Sequence, residues 1–471
     1  MIVVKKISRR GLLFLLFNSC FLFIFFQLLF SADQGNLSSL LRSSQPQEEA
    51  YFPLSNGLKV YLLSGYPYPL TTVVLAVKAG IEAENSETNG WRHLLEHCLL
   101  FRQSRLIEKN QLFSTIKKTG LYYNAHTDQD LMTFEFCLPK EYLEEALGRL
   151  KEIVFNFDFT EEALENEKKI ISLEIKEIER NPEKLGLSLI YKLIFGDSNY
   201  GLPVYGQEKV IQQATLKDLE KIHQQYFWPN NSALVVIGDF SLEKIKPVIT
   251  SLYSDLSPGQ IQTVAPFPSP KLSNQDSLLE LTMKIPETYL LAGLPGPPYN
   301  LPEAINLELL IEILGGGMNP LLYGALAGYP DLVTSMRLHY LSHERAGLIY
   351  LSAITTEKNI STLKRLLQSF FASLPEINYS PEDYPPGQQY LIMDFLQGGK
   401  NRIKWLSEKL TENPIALGMA LSKHLLLAAE SGQQNYLKQV ESLNSSDLRK
   451  VARRYFKQAR PVWVIIKPEK K

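Results

Sequence analysis

Residues 90–101, GWRHLLEHCLLF, hold two histidines and a glutamate in the order H-x-x-E-H. On a helix, residues four apart lie one turn apart on the same face, so His93 and His97 would direct two imidazoles at one point. Two neutral imidazoles suit Zn²⁺, and the carboxylate of Glu96 suits proton removal from a metal-bound water. The pattern therefore predicts a zinc helix. The alternative is a helix that merely carries two histidines.

A catalytic zinc needs a third protein ligand, which must come from elsewhere in the chain. Residues 160–182 predict a helix, with Thr160 as its N-cap and the pair Asn181-Pro182 at its end. Within it, Glu167 and Glu174 lie on one face beside an apolar stripe. A solvated acidic face explains the other glutamates of this helix better than it explains these two.

With this spacing the chain resembles the insulinase/pitrilysin-like inverzincin peptidases, in the branch of mitochondrial processing peptidase and its bacterial relatives. The glutamate ligand of that family follows H-x-x-E-H at a fixed distance, and that distance from His97 ends on Glu174. The family's acidic residue seven positions earlier corresponds to Glu167. The resemblance covers residues 50–471 and includes residues 55–60, 124–127, 195–206 and 226–239.

The resemblance implies one Zn²⁺ per chain, held by His93, His97 and Glu174 and keeping a water in its fourth position. Zinc lowers the pKa of such a water to about 7. Glu96 would take the proton as the water attacks a peptide carbonyl, and return it to the leaving amine. Glu167 would orient one of the ligands from behind.

Residues 124–138 predict a turn followed by a strand, and Asn124 and Ala125 resemble the family's substrate-edge strand. A peptide would add there as an extra strand held by backbone hydrogen bonds. This mode requires an extended substrate, so peptides and unfolded protein segments are the expected substrates. His126 either contacts that substrate or has a structural role in the turn.

An internal repeat divides the folded part of the chain. Residues 218–227 begin DLEKI, end on Tyr-Phe and precede the strand pattern ALVVIG, and residues 447–456 begin DLRKV, end on Tyr-Phe and precede VWVII. Asn181-Pro182 and Asn413-Pro414 correspond at nearly the same offset. Such self-similarity indicates a duplication.

The predicted fold class is α+β, with two homologous α/β domains in one chain, each a sheet flanked by helices. We expect a zinc-binding peptidase domain at residues 50–255, a linker at 256–276 and a second domain at 277–471. The second domain has lost the zinc chemistry, because residues 303–314 contain no histidine and Leu406 stands where Glu174 would be. By resemblance, the chain is half of a four-domain clamshell.

The second domain also departs from the family pattern. In the family, a Gly-rich stretch is followed by an arginine and a tyrosine that reach the zinc site of the facing half. Here residues 315–317 are glycines, but Ala327 and Thr334 stand at those two places, and neither can bind peptide or stabilise an oxyanion. The resemblance therefore implies a heterodimer with a homologous zinc-less subunit that supplies the arginine and tyrosine.

Residues 1–32 predict a signal peptide or an N-terminal membrane anchor. Four basic residues precede a charge-free stretch at 11–32 that is long enough to span a bilayer. A cut after Ala32 would leave Phe30 where a small residue is preferred, so cleaved and uncleaved forms both remain open. The polar residues 33–49 predict a tether. The basic flank favours export of the rest, to the periplasm or the extracytoplasmic face of the membrane.

Composition excludes some classes of function. The net charge is −1, with no basic excess and no motif for binding nucleic acid. Three cysteines form neither a disulfide framework nor a cysteine zinc site. The sequence favours an exported zinc-dependent endopeptidase. The alternative is a poorly active subunit of a heterodimeric peptidase, or of a peptide-binding assembly.

Overall fold

The computed structural model describes residues 48–66, 68–101, 122–261, 277–317, 320–385, 394–427, 433–457 and 460–469. The predicted signal or anchor, nearly all of the tether, most of the linker and a helix that the sequence predicts at residues 111–118 lie outside these residues. Within them, no helix combines the length and the apolar character that crossing a bilayer requires.

Two sheets, one from each half of the sequence, form the frame of the molecule. The first has the order β1-β2-β6-β3-β5-β4 and the second the order β7-β11-β8-β10-β9. The last strand of each half, β6 or β11, lies between two other strands of its sheet and runs parallel to one of them. The strands are β1 (Glu48–Pro53), β2 (Lys59–Ser64), β3 (Leu70–Val77), β4 (Tyr122–Thr127), β5 (Met132–Pro139), β6 (Ser232–Gly238), β7 (Leu278–Met283), β8 (Thr288–Gly296), β9 (Ser335–Leu341), β10 (Gly347–Thr355) and β11 (Val462–Pro468).

Helices cover both faces of the sheets, and the predicted α+β class with two sheet-and-helix domains is confirmed. Thr160 caps the helix that follows it, as its position in the sequence predicts. Asn181, predicted only as the end of that helix, also caps the next one. The helices are α1 (Trp91–Phe101), α2 (Leu143–Phe155), α3 (Glu161–Glu179), α4 (Pro182–Phe195), α5 (Glu208–Ile211), α6 (Leu216–Tyr226), α7 (Leu242–Tyr253), α8 (Pro302–Gly315), α9 (Leu321–Gly324), α10 (Ile360–Ser373), α11 (Phe395–Leu410), α12 (Pro414–Leu427), α13 (Gln433–Ser442) and α14 (Ser445–Tyr455).

The two halves exchange one helix each. Helix α4 of the first half packs on β8 and β11 of the second sheet, and α12 of the second half packs on β3 and β6 of the first. Gly186 and Gly418, each five residues after the asparagine that precedes its helix, allow the close approach. A Cβ on Gly186 would lie 2.5 Å from a methyl of Leu291, and one on Gly418 would lie 2.6 Å from a methyl of Val74.

Replacing Gly418 by alanine should lower the free energy of unfolding by about 1–3 kcal/mol, because the new methyl overlaps Val74 in a packed interface. The matched control is Gly148→Ala on α2, where a Cβ would meet no atom within 4 Å. Alanine there should stabilise the protein by up to about 1 kcal/mol, because it favours a helix more than glycine does. Urea unfolding followed by circular dichroism measures both, and equal effects would contradict the tight contact.

The predicted turn around Asn124 is wrong. Residues 122–127 form β4, an edge strand that pairs with β5, and the turn follows at residues 128–131. There the Asp128 carboxylate accepts hydrogen bonds from the backbone N–H groups of Asp130 and Leu131, both at 2.7 Å. A short acidic side chain stabilises such a turn, whereas the tyrosines at 122 and 123 favour a strand.

Candidate metal centre and active site

The structure brings together the two histidines of α1 and one glutamate of α3. Ligating atoms of His93, His97 and Glu174 all lie within 4.8 Å of one another. Glu174 Oε2 is 3.7 Å from His93 Nε2 and 3.5 Å from His97 Nε2. Separations of this size suit a common ion with bonds of about 2.0–2.2 Å, the range that zinc prefers. The donor set, two imidazoles and one carboxylate, also suits zinc.

Each imidazole is held from behind through its other ring nitrogen. His93 Nδ1 lies 3.2 Å from the carbonyl oxygen of Tyr205, and His97 Nδ1 lies 3.2 Å from Glu167 Oε2. If each Nδ1–H donates to its oxygen, each Nε2 keeps a lone pair directed toward Glu174. The structure thus places the Glu167 carboxylate against the Nδ1 side of a candidate ligand.

The charges of the site are tightly coupled. Burial lowers the pKa of His93, and the neighbouring His97 lowers it further. Burial also opposes the charged form of His97, but hydrogen bonds to Glu167 and Glu174 outweigh it and raise the pKa of His97 to about 10. Burial would raise the pKa of Glu174, yet His97 holds it below its usual value. The carboxylates of Glu167 and Glu174 therefore stabilise positive charge at His97, as they would stabilise a metal cation held there.

Glu96 lies on the same helix, one residue before His97, and is buried at 6% exposure. Its Oε2 accepts a hydrogen bond of 2.6 Å from the hydroxyl of Thr127 on β4. The carboxylate thereby has a fixed orientation, which a general base requires. This role of Thr127 was not predicted from the sequence. Side chains alternate between the two faces of a strand, so Thr127 lies on the same face as Ala125 of the predicted substrate strand. This alternation was the signal that could have identified Thr127.

A second residue not predicted from the sequence is Glu84, which caps the N-terminus of α1. Its carboxylate accepts from the backbone N–H groups of Gly90 and Arg92, both at 2.8 Å, and from the amide of Asn89 at 3.0 Å. Burial raises the pKa of Glu84, although Arg92 and these bonds lower it. Gly90, directly before α1, has φ +97° and packs on Gly206. Its left-handed backbone conformation and this close contact both favour glycine.

The predicted substrate strand runs along one edge of the first sheet. Among the described residues, β4 pairs only with β5, so its other edge is open. Ala125 is buried against the core beneath α1, whereas Asn124 points to the opposite face of the sheet. There its amide lies 3.2 Å from His126 Nε2, and that nitrogen lies 3.5 Å from Glu135 Oε2. The backbone at 124 and 125, rather than the Asn124 side chain, borders the candidate site.

The second half carries no histidine on the corresponding helix, α8. Leu406 lies half-buried on α11, and Ala327 and Thr334 are both exposed. Within the described part of the chain, the other group able to hold a metal consists of carboxylates alone: Glu82, Asp130 and Glu344.

Two family models match the chain in succession. The model described as insulinase (peptidase family M16) matches residues 59–208, and the model described as peptidase M16 inactive domain matches residues 213–384. The chain belongs to the insulinase family of peptidases, M16. The first match includes the candidate zinc ligands, and the second includes Ala327 and Thr334.

Relatives in the M16 family include named zinc proteases. An uncharacterized zinc protease of Rickettsia felis is 25% identical over 367 residues, which are 78% of this chain and 87% of the relative. The mitochondrial-processing peptidase subunit beta of Neurospora crassa is 28% identical over 205 residues, which are 43% of this chain and 42% of that protein.

Solved structures share the whole fold. A protease from Helicobacter pylori superposes with a TM-score of 0.77 at 20% identity, covering 90% of this chain and all of that one (100%). A peptidase M16 inactive domain from Pseudomonas fluorescens gives 0.74 at 18% identity, covering 90% of this chain and 98% of that one. Likeness at this level of identity establishes the fold alone.

Proposed function

We propose that the chain is a zinc-dependent endopeptidase that hydrolyses peptides or unfolded protein segments. The observation that carries this proposal is the convergence of His93, His97 and Glu174 beside the oriented carboxylate of Glu96. The donor set and its separations fit zinc, and relatives in the same family are named zinc proteases. His93, His97 and Glu174 would hold the ion. Bound zinc would supply a Lewis acid that activates water and polarises the scissile carbonyl.

The residues of the chain have separate tasks in this reaction. Glu96 accepts the proton of the attacking water and returns it to the leaving amine, while Thr127 keeps its carboxylate in place. Glu167 and the Tyr205 carbonyl hold the two imidazoles in the tautomer that leaves Nε2 free for the ion.

The substrate would bind as an added strand on β4. The open edge of this strand passes Asn124 and Ala125 and reaches Thr127, whose side chain contacts the proposed base. Backbone hydrogen bonds would hold an extended peptide beside Glu96, and its binding would depend little on its side chains. A folded protein offers no such free strand, so peptides and unfolded segments are the proposed substrates.

Zinc content tests the assignment directly. Purified protein should contain about one zinc per chain, and Glu174→Ala should lose most of it because one of three protein ligands is gone. Glu177→Ala, an exposed glutamate on the same helix, is the matched control and should keep the ion. Elemental analysis after dialysis measures both variants. Full zinc content in Glu174→Ala would exclude this residue as a ligand.

A second candidate function has its own support. Residues 213–384 match a domain described as inactive, and the exposed Ala327 and Thr334 cannot supply donors to a facing site. These features favour a poorly active subunit that needs a homologous zinc-less partner, or a peptide-binding assembly subunit. A relative of this chain is named as one subunit of a peptidase, which is consistent with a heterodimer.

We also propose that the protein is exported, on the strength of its basic N-terminus and the charge-free stretch at 11–32. The rest would then lie in the periplasm or on the extracytoplasmic face of the membrane. Alkaline phosphatase, which is active only outside the cytoplasm, should give activity when fused after residue 50. The same fusion with residues 11–32 deleted is the control, and equal activity from both would contradict the proposal.

A further inference from the structure

The turn between β4 and β5, residues 128–131, supports the candidate site from two directions. Thr127, directly before the turn, donates to Glu96. Carbonyl oxygens of Asp128 and Asp130 accept hydrogen bonds from the backbone of Ile81 at 3.1 Å and Gly80 at 2.9 Å. The position of this turn therefore determines where the Thr127 hydroxyl meets the proposed base.

The same turn also sets the start of the zinc helix. The carbonyl of Gln129 accepts from the backbone N–H of Glu82 at 2.8 Å. Glu82 belongs to a short 3-10 helix, Ile81–Ala83, which leads directly into Glu84, the cap of α1. A displacement of the turn would thus be transmitted both to Glu96 and to the N-terminus of the helix that carries it.

The second domain holds this turn through the buried carboxylate of Asp130. Asp130 is 1% exposed, and its Oδ1 accepts from the Tyr200 hydroxyl at 2.5 Å. Its Oδ2 accepts from the backbone N–H of Glu344 at 3.1 Å and lies 3.5 Å from His343 Nδ1. The Tyr200 hydroxyl in turn accepts from the backbone N–H of Arg345 at 3.3 Å.

Further contacts fix the loop at residues 342–345 itself. Arg345 Nε lies 2.7 Å from Glu82 Oε1, so the loop also binds the segment that leads to the helix cap. His343 Nε2 lies 2.6 Å from the hydroxyl of Tyr191 on the exchanged helix α4. Lys78 forms an ion pair with Glu344. The loop is thus anchored at three successive residues, and a rigid anchor can hold the turn in one position.

We propose that the loop at residues 342–345 is a positioning element for the proposed peptidase site, acting through Asp130 and Glu82. This inference rests on the proposed function and adds a role for the second domain within its own chain. A catalytic group displaced by about 1 Å by a distant change loses roughly 10²-fold in rate. Asp130 and the loop supply neither a proposed zinc ligand nor the proposed base, so they are positioning residues.

The test compares two tyrosine-to-phenylalanine variants of the full-length protein. Tyr200→Phe removes the hydroxyl that joins Asp130 to the loop. Tyr66→Phe is the matched control, because the Tyr66 hydroxyl also bridges the two halves, donating to the Thr411 carbonyl at 3.0 Å. Both tyrosines are buried, and Tyr66 packs against α12 on the sheet face opposite α1.

Two measurements are made on each variant. On an unstructured peptide, Tyr200→Phe should lower kcat about tenfold or more with KM and zinc content little changed, and Tyr66→Phe should stay within about twofold of the parent protein. In zinc-free protein, amide hydrogen exchange should be faster over residues 80–97 and 122–131 for Tyr200→Phe only. This second readout needs no activity, so it separates failure of this inference from failure of the proposed function.

Parent-like exchange in both segments for Tyr200→Phe, or equal acceleration there by both variants, would overturn the proposal. A fall in kcat with equal loss of zinc would overturn it too, since the effect would then be on metal binding. If Tyr200→Phe does not fold, Arg345→Gln removes the ion pair with Glu82 and keeps a polar side chain. It should then give the same exchange pattern, and parent-like exchange in that variant would refute the positioning role.

Discussion

Replacing Glu96 by glutamine should abolish peptide cleavage while leaving the zinc content unchanged. The amide keeps the size of the side chain and can still bond to the Thr127 hydroxyl, but it cannot accept the proton of the attacking water. We expect kcat/KM on an unstructured peptide to fall by at least about 10²-fold. Because Glu96 is not among the three proposed ligands, metal analysis should still find about one zinc per chain.

The matched control is Glu177→Gln, which makes the same chemical change at an exposed position on α3 and should leave cleavage intact. The pair separates loss of the base from any general effect of removing one negative charge. Normal cleavage by Glu96→Gln would show that another group takes the proton. Loss of zinc from that variant would show that Glu96 contributes to holding the ion.

Adding a zinc-less homologous subunit should raise the peptidase rate of this chain by roughly 10²- to 10³-fold, the usual scale for one oxyanion donor. Ala327 and Thr334 are exposed, and the family resemblance predicts an arginine and a tyrosine at these two places that would reach a facing zinc site. A homodimer would therefore present two inert side chains to each site. The rate of the purified chain is measured on unstructured peptides, alone and with increasing amounts of the candidate partner.

The control for this experiment is the same partner with its arginine and tyrosine replaced by alanine and threonine, the residues found here at 327 and 334. That variant should bind without raising the rate. Full activity of the lone chain, with no gain from the partner, would contradict the need for donors in trans. Equal activation by both partners would assign the gain to assembly and not to the two side chains.

Local periodicity made much of the site predictable. Residues four apart on a helix share a face, so the spacing of His93 and His97 determined that their imidazoles meet. Thr160 and Asn181 fixed the ends of two helices through local hydrogen bonds to the backbone that follows them. Glu174 was predicted as a ligand from the family's spacing. Its helix alone does not distinguish it from Glu167, because both residues lie on the same face.

The repeat was equally visible in the sequence, because a duplicated segment preserves its offsets. The α+β class and the presence of two sheet-and-helix domains followed from it. What the sequence could not indicate was that α4 and α12 exchange sides. Glycines at 186 and 418 fit an ordinary helix as well as a close interface, and only the packing of Leu291 and Val74 against them shows their role.

By itself, the sequence predicted the helix of His93 and His97, the candidate base Glu96 and the duplication, whereas Glu174 also needed the family's spacing. Only the tertiary structure decided that Thr127 orients Glu96, that Glu84 caps the zinc helix, and that Asp130 ties the site to the second domain. The physical reason is the range of the interactions. Helical faces and caps depend on neighbours within a few residues, whereas each of these contacts forms only after a loop or a whole domain has closed on another.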